Sequence, residues 1–96
     1  MSDGEIVHEQ QGSKGRYVIR RNGAEAELTY SIASATLRIA DHTGVPDAFR
    51  GTGAGLALVT RLVEDARAEG FKIMPLCPFV NAQRRKHPDW ADVFAV

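Results

Sequence analysis

Hydrophobic and polar residues alternate with a period of two along the first half of the chain. Ala26, Leu28, Tyr30 and Ile32 are interleaved with Glu25, Glu27, Thr29 and Ser31, the pattern of a strand with one buried face. A weaker alternation over residues 6–10 and an apolar run through Tyr17 and Ile19 predict two strands before it. The Ser-Lys-Gly segment of residues 13–15 is read as the first turn, and Asn22-Gly23 is the dipeptide favoured in two-residue hairpins. After Ser34, Ala35, Leu37, Ile39 and Asp41 form one face of a fourth strand and Thr36, Arg38 and Ala40 the other, ending near residues 42–45. Then the period changes. Leu56, Val59, Val63 and Ala66 recur at spacings of three and four, with Arg61, Glu64, Asp65 and Arg67 opposite, which predicts a helix over residues 53–69. Gly70 stands where a helix C-cap glycine belongs. Residues 71–76 read as a short apolar strand limited by Pro75 and Pro78, and residues 79–87 and 89–95 as short helices divided by Pro88. The order β-β-β-β-α-β-α predicts an α/β (α+β) fold in which the strand–helix–strand unit requires one parallel pair.

Composition narrows the class. The chain has 96 residues, 44% hydrophobic and 25% charged, so residues 1–96 are read as one globular domain. Twelve Lys and Arg balance twelve Asp and Glu for a formal net charge of 0, which removes the basic footprint of a general nucleic-acid binder. The longest uncharged stretches, residues 51–60 and 73–83, fall far short of the roughly 20 needed to cross a bilayer. The N-terminal residues are acidic and do not read as a secretory signal. The chain's 1 cysteine cannot form an internal disulfide, and a cytoplasmic location is expected, with no membrane partner.

Candidate chemistry begins at the turn Arg50-Gly51-Thr52-Gly53-Ala54-Gly55, placed between a strand and a long helix. Such a turn offers backbone N–H groups at the positive end of a helix dipole, where phosphate binds; by itself it reads equally as a flexible connection. It is not a P-loop, because Leu56-Ala57 follows Gly55 where Lys-Ser/Thr is needed. It is not a dinucleotide fingerprint either, because positions 56 and 58 are leucine.

Arg50-x-x-Gly53-x-Gly55 resembles the Q/R-x-x-G-x-G/A signature of the GNAT superfamily of N-acetyltransferases, in which this loop holds the pyrophosphate of acetyl-CoA. His-Thr-Gly-Val-Pro from residue 42, Pro-Leu-Cys-Pro-Phe from residue 75 and His-Pro-Asp-Trp from residue 87 resemble the elements of its short, minimal-domain members. The resemblance implies that the strands flanking the long helix splay apart and open a slot for the pantetheine arm. It implies that backbone groups of Thr43 and Val45 pair with pantetheine, and that an N–H near Thr43 polarises the thioester carbonyl. Gly51, Gly53, Ala54 and Gly55 would receive the pyrophosphate, Arg50 would add charge at the loop entrance, and Asn81 would hydrogen-bond the cofactor arm. Arg84 and Lys86 are expected contacts for the 3′-phosphate of CoA, although a basic run near a helix end also reads as a solvated face.

The resemblance implies an acetyl-CoA-dependent enzyme acting on an amine, with no metal. No helical pattern precedes residue 44, so the acceptor side should be open, suited to an exposed lysine, a peptide amine or a polyamine. Many family members carry a tyrosine on the helix after the last motif strand to reprotonate the CoA thiolate. Tyr17 and Tyr30 both lie on early strands, so no residue takes that role. His42 is the candidate base, since histidine titrates near neutrality; a strand-end packing role is the alternative. Cys77 is the candidate group nearest the thioester, as a covalent carrier or as a small buried wall of the slot. Direct amine attack needs no thiolate and is the expected route. A CoA- or acyl-CoA-binding module with little turnover is the alternative function.

Overall fold

A computed structural model describes residues 5–96. Its strands form one sheet in the order β1-β2-β3-β4-β5, with β1 at Ile6–Gln11, β2 at Lys14–Arg21, β3 at Ala24–Ser34, β4 at Leu37–Gly44 and β5 at Lys72–Pro75. The first four are antiparallel neighbours, and β5 joins β4 in parallel. The connection to β5 is α1, Ala54–Glu69, preceded by a 3-10 turn over Asp47–Phe49. Helix α2, Pro78–Lys86, and a 3-10 segment over Pro88–Val93 complete the order.

Local chemistry explains most boundaries. Asn22 and Gly23 both take positive φ, 50° and 81°, as a two-residue hairpin with the natural strand twist requires. The expected first turn lies one residue earlier than the sequence suggested: Gly12 (φ 61°) and Ser13 turn, and Lys14 already begins β2. Residue 35 likewise belongs to a turn, because the Thr36 N–H donates to Ser34 Oγ at 3.2 Å and the strand starts only at Leu37. Gly70 (φ 79°) closes α1 by donating its N–H to the Ala66 carbonyl at 2.9 Å. Residues 89–95 do not form the expected α-helix. After its 3-10 turns the chain extends, bridging Phe94 to Ile73 and donating the Ala95 N–H to the Ile73 carbonyl at 2.8 Å. Pairing with the free edge of β5 competes successfully with one more helical turn.

The molecule is two layers thick, 20 Å along its shortest axis. Tyr17, Leu28, Tyr30, Ala40 and Ile73 on one sheet face pack against Leu58, Val59, Leu62 and Val63 of α1, Val80 of α2, and Trp90 and Phe94 beyond it. The opposite face carries ion pairs instead, Arg16 reaching Glu9, Glu25 and Glu27 at 2.7–3.0 Å. Among the described residues no helix packs over that face.

Candidate active site

The sheet opens where β4 outlasts β5. Their parallel pairing runs from Leu37↔Lys72 to Ala40↔Pro75 and stops. Strand β4 continues to Gly44 held only by β3, while the chain after Pro75 turns into α2. A bulge sits at the parting. Thr29 pairs with His42 and Tyr30 with Ala40, leaving Asp41 as the extra residue, and such an insertion kinks and twists its strand. Pro75 and Pro78 supply no N–H to continue a ladder, so on the β5 side the splay follows from local sequence, and on the β4 side from the register with β3.

The bulge also shifts the phase of side chains along β4. Thr43 turns toward α2, its Oγ1 3.2 Å from the sulfur of Cys77, which is 3% exposed. Cys77 is the N-cap residue of α2, and its N–H is fixed by the Ala40 carbonyl at 2.9 Å. His42 turns the other way: its Nε2 lies 3.3 Å from the point where a Gly44 Cβ would stand, beside Glu27 on the ion-paired face. Thr43 and Cys77 thus face one mouth of the splay and His42 the other. On the His42 side the sheet forms a concavity of about 760 Å³ between Glu9, Gln11, Lys14, Arg16, Thr29 and Asp41. Val45 and Leu76, 41% and 64% exposed, flank the opening.

The glycine turn forms the N-terminal approach to α1. Gly51 and Gly53 take positive φ, 77° and 75°, and a Cβ on either would meet nothing within 4 Å. Alternate N–H groups are already engaged: Arg50 donates to the Asp47 carbonyl, Thr52 to the Phe49 carbonyl, and Ala54 to Thr52 Oγ1 at 3.2 Å. Those of Gly51, Gly53, Gly55 and Leu56 have no protein acceptor among the described residues, the last two because a helix leaves its first N–H groups unpaired. The first turns of α1 and α2 contain no acidic residue to oppose an anion. These free donors, open space and unopposed dipole fit a diphosphate group, and the unpaired edge of β4 fits an extended amide-bearing arm.

The remaining expected residues are less concentrated. Arg50 is exposed and pairs with Asp47 at 3.3 Å. Ala54 is buried as the first residue of α1. Asn81 lies in α2 and accepts a hydrogen bond from Arg84 Nε at 2.7 Å, which leaves its amide NH₂ as a donor. Lys86 is exposed at the end of α2. Sequence reasoning did not single out Thr52, which ties the turn to itself by donating to the Phe49 carbonyl at 2.6 Å while accepting from Ala54. A threonine just before a helix was the available signal. It also missed the side chain of Thr43, whose direction depends on the bulge. Among the described residues no group of three or more His, Cys, Asp and Glu could hold a metal ion, and no helix is long and apolar enough to cross a membrane.

Residues 16–93 match the family profile of the GCN5-related N-acetyl-transferases. The structure is similar to that of a GCN5-like protein from Staphylococcus aureus, determined in solution by NMR. The two are 35% identical, superpose with a TM-score of 0.72, and the match covers 98% of this chain and 90% of that one. No curated protein matches.

Proposed function

Because the chain belongs to the GCN5-related N-acetyltransferase family, and so is an acetyltransferase with acetyl-CoA as cosubstrate, we propose that its acceptor is an exposed amine. A lysine side chain or peptide amine on a larger molecule fits first, and a polyamine second. The observation that carries this reading is the ion-paired sheet face beside His42, where the described residues place side chains but no helix. A small acceptor needs walls to enclose it, whereas a protein surface supplies its own. Lys14 and Asp41, which both hydrogen-bond Ser31, and the ion pairs of Arg16 give that face a polar floor.

When bound, acetyl-CoA supplies an acetyl group activated as a thioester. The N–H groups of Gly51, Gly53 and Gly55, with the first turn of α1 from Ala54, hold the pyrophosphate. Backbone groups of Thr43 and Val45 on the free edge of β4 hold the pantetheine amides as an added strand would. An N–H near Thr43 stabilises negative charge as it develops on the thioester oxygen. The Asn81 amide steadies the arm, and Arg50, Arg84 and Lys86 supply charge to the outer phosphates.

His42 accepts the proton of the incoming ammonium from the open face, so the neutral amine attacks the thioester carbon directly. The C–S bond then breaks, CoA leaves as its thiolate, and the thiolate takes up the second proton that the nitrogen loses. Cys77, buried and hydrogen-bonded to Thr43, serves as a wall of the slot, and its small size leaves room for the thioester. The test is release of CoA thiol from acetyl-CoA across lysine peptides, N-terminal amines and polyamines. Peptides are expected to turn over fastest. A protein that binds CoA and releases thiol with none of these acceptors would be a binding module instead.

A further inference from the structure

We infer that Phe79 is a positioning residue for the cofactor slot, and that Gly55 is a glycine to admit the Phe79 ring, not to admit the cofactor. The inference rests on the proposal that CoA lies at the α1 N-terminus, and deepens it.

The glycines of the turn differ in kind. Gly51 and Gly53 occupy left-handed backbone with open space around them, so their requirement is conformational. Gly55 takes no positive φ and lies inside α1, where alanine is ordinarily the better helix former. What excludes alanine there is α2. A Cβ on Gly55 would stand 2.7 Å from Phe79 Cζ, closer than side-chain carbons pack, and 3.1 Å from Cε2, so the Phe79 ring must move to admit it. The Phe79 ring is packed against the core and sits in the first turn of α2, directly after Cys77 and Pro78.

Phe79 therefore sets how closely the two helix N-termini approach. On its other side the start of α2 is tied to β4 through the Cys77 N–H and the Ala40 carbonyl, 2.9 Å apart. The chain of contacts runs from the free donors of α1 through Gly55 and Phe79 to Cys77, and from Cys77 to Thr43 at the splay. Moving the ring changes the distance between the phosphate cradle and the thioester end of the slot. A cofactor of fixed length spans both, so that distance governs binding.

The experiment is a double-mutant cycle of Gly55→Ala and Phe79→Leu, read by calorimetry with CoA, by thermal midpoint and by steady-state kinetics. Leucine removes the ring atoms nearest Gly55, and Phe79→Met serves if Phe79→Leu folds poorly. With Phe79 in place, Gly55→Ala should weaken CoA at least tenfold and lower the midpoint. Beside Leu or Met at position 79, the same alanine should leave CoA affinity within about threefold and raise the midpoint, since it then acts only as a better helix former. Phe79→Leu alone should raise KM for acetyl-CoA and leave KM for the acceptor unchanged. An equal loss of CoA affinity from Gly55→Ala in both backgrounds would overturn the inference, assigning Gly55 to the cofactor. Loss of all CoA binding by the wild-type protein would instead sink the functional reading, and the reversal in midpoint would still report the steric contact.

Discussion

Thr43 and His42 are adjacent in sequence yet serve opposite faces of the sheet, and at the residue scale much of the proposed chemistry follows from that. His42→Ala should slow acetyl transfer more at low pH than at high pH, because above the amine's own pKa no proton remains to be taken. A uniform loss across pH would remove His42 from that role. Cys77→Ala deletes a buried sulfur but no donor that the cofactor needs, so CoA affinity should stay within a few-fold and turnover should remain measurable. An acetylated Cys77 that forms and decays at the turnover rate would make the thiol a carrier. Gly53 is the sharper test of the cradle. Valine at a φ of 75° is strained and puts a branched side chain into the space left for the anion. CoA affinity should fall at least about tenfold, roughly 1.4 kcal/mol, in a protein that keeps its circular dichroism spectrum.

At the scale of elements, β1 is the strand with the weakest claim to the core. It lies at the sheet edge, and beside Ile6 its inward anchor is polar: His8 stacks on Tyr17 with ring centroids 4.4 Å apart and its Nε2 meets the Tyr30 hydroxyl. Burial lowers the His8 pKa, outweighing the carboxylates of Asp65 and Glu69 that raise it, while Arg61 and Arg38 lower it further. The same burial, with the hydrogen bond to Asp65, pushes the Tyr17 phenol up. A histidine with a lowered folded-state pKa binds protons more readily when unfolded, so its contribution to stability is complete above about pH 6.5 and shrinks as pH falls toward the folded value. Denaturant melts should show the wild type losing stability between pH 7.5 and pH 5. His8→Phe, which keeps the stacking and cannot titrate, should lose measurably less. Protection factors of the Ile6–Gln11 amides, corrected for the pH dependence of intrinsic exchange, should fall over the same range in the wild type.

For the whole molecule, a ligand that binds only the folded chain stabilises it by mass action. CoA at a hundred times its Kd should contribute about 2.7 kcal/mol, a rise in midpoint of roughly 10–20 °C for a domain this small. Dephospho-CoA should raise it less, and Arg84→Ala with Lys86→Ala should erase that difference. Equal shifts for both ligands in the wild type would return the basic end of α2 to solvent. Much of the fold was legible in the sequence. Alternation over residues 25–32 and the three-four spacing of Val59, Val63 and Ala66 set strand and helix, because burial of one face is a local demand on sequence. Leu56, however, stays 39% exposed while Leu58 enters the core, and Asp65 reaches in to the Tyr17 hydroxyl. The positive φ that Gly51 and Gly53 adopt was likewise legible, since glycine takes left-handed backbone without strain. The bulge at Asp41 was not legible. It arises from how β3 and β4 align, and that one-residue slip sends Thr43 rather than His42 toward Cys77. Nor could spacing reveal why position 55 is glycine, since the atom that excludes a side chain there, Phe79 Cζ, lies 24 residues along the chain and reaches it only across packed helices. Sequence by itself determined the five strands, α1, α2 and the family, because backbone preference and burial act over a few residues, whereas residues 89–95 yielded their expected helix to pairing with β5. Tertiary structure alone decided which side chains share a mouth of the slot, because that depends on register and on contacts between elements distant in sequence.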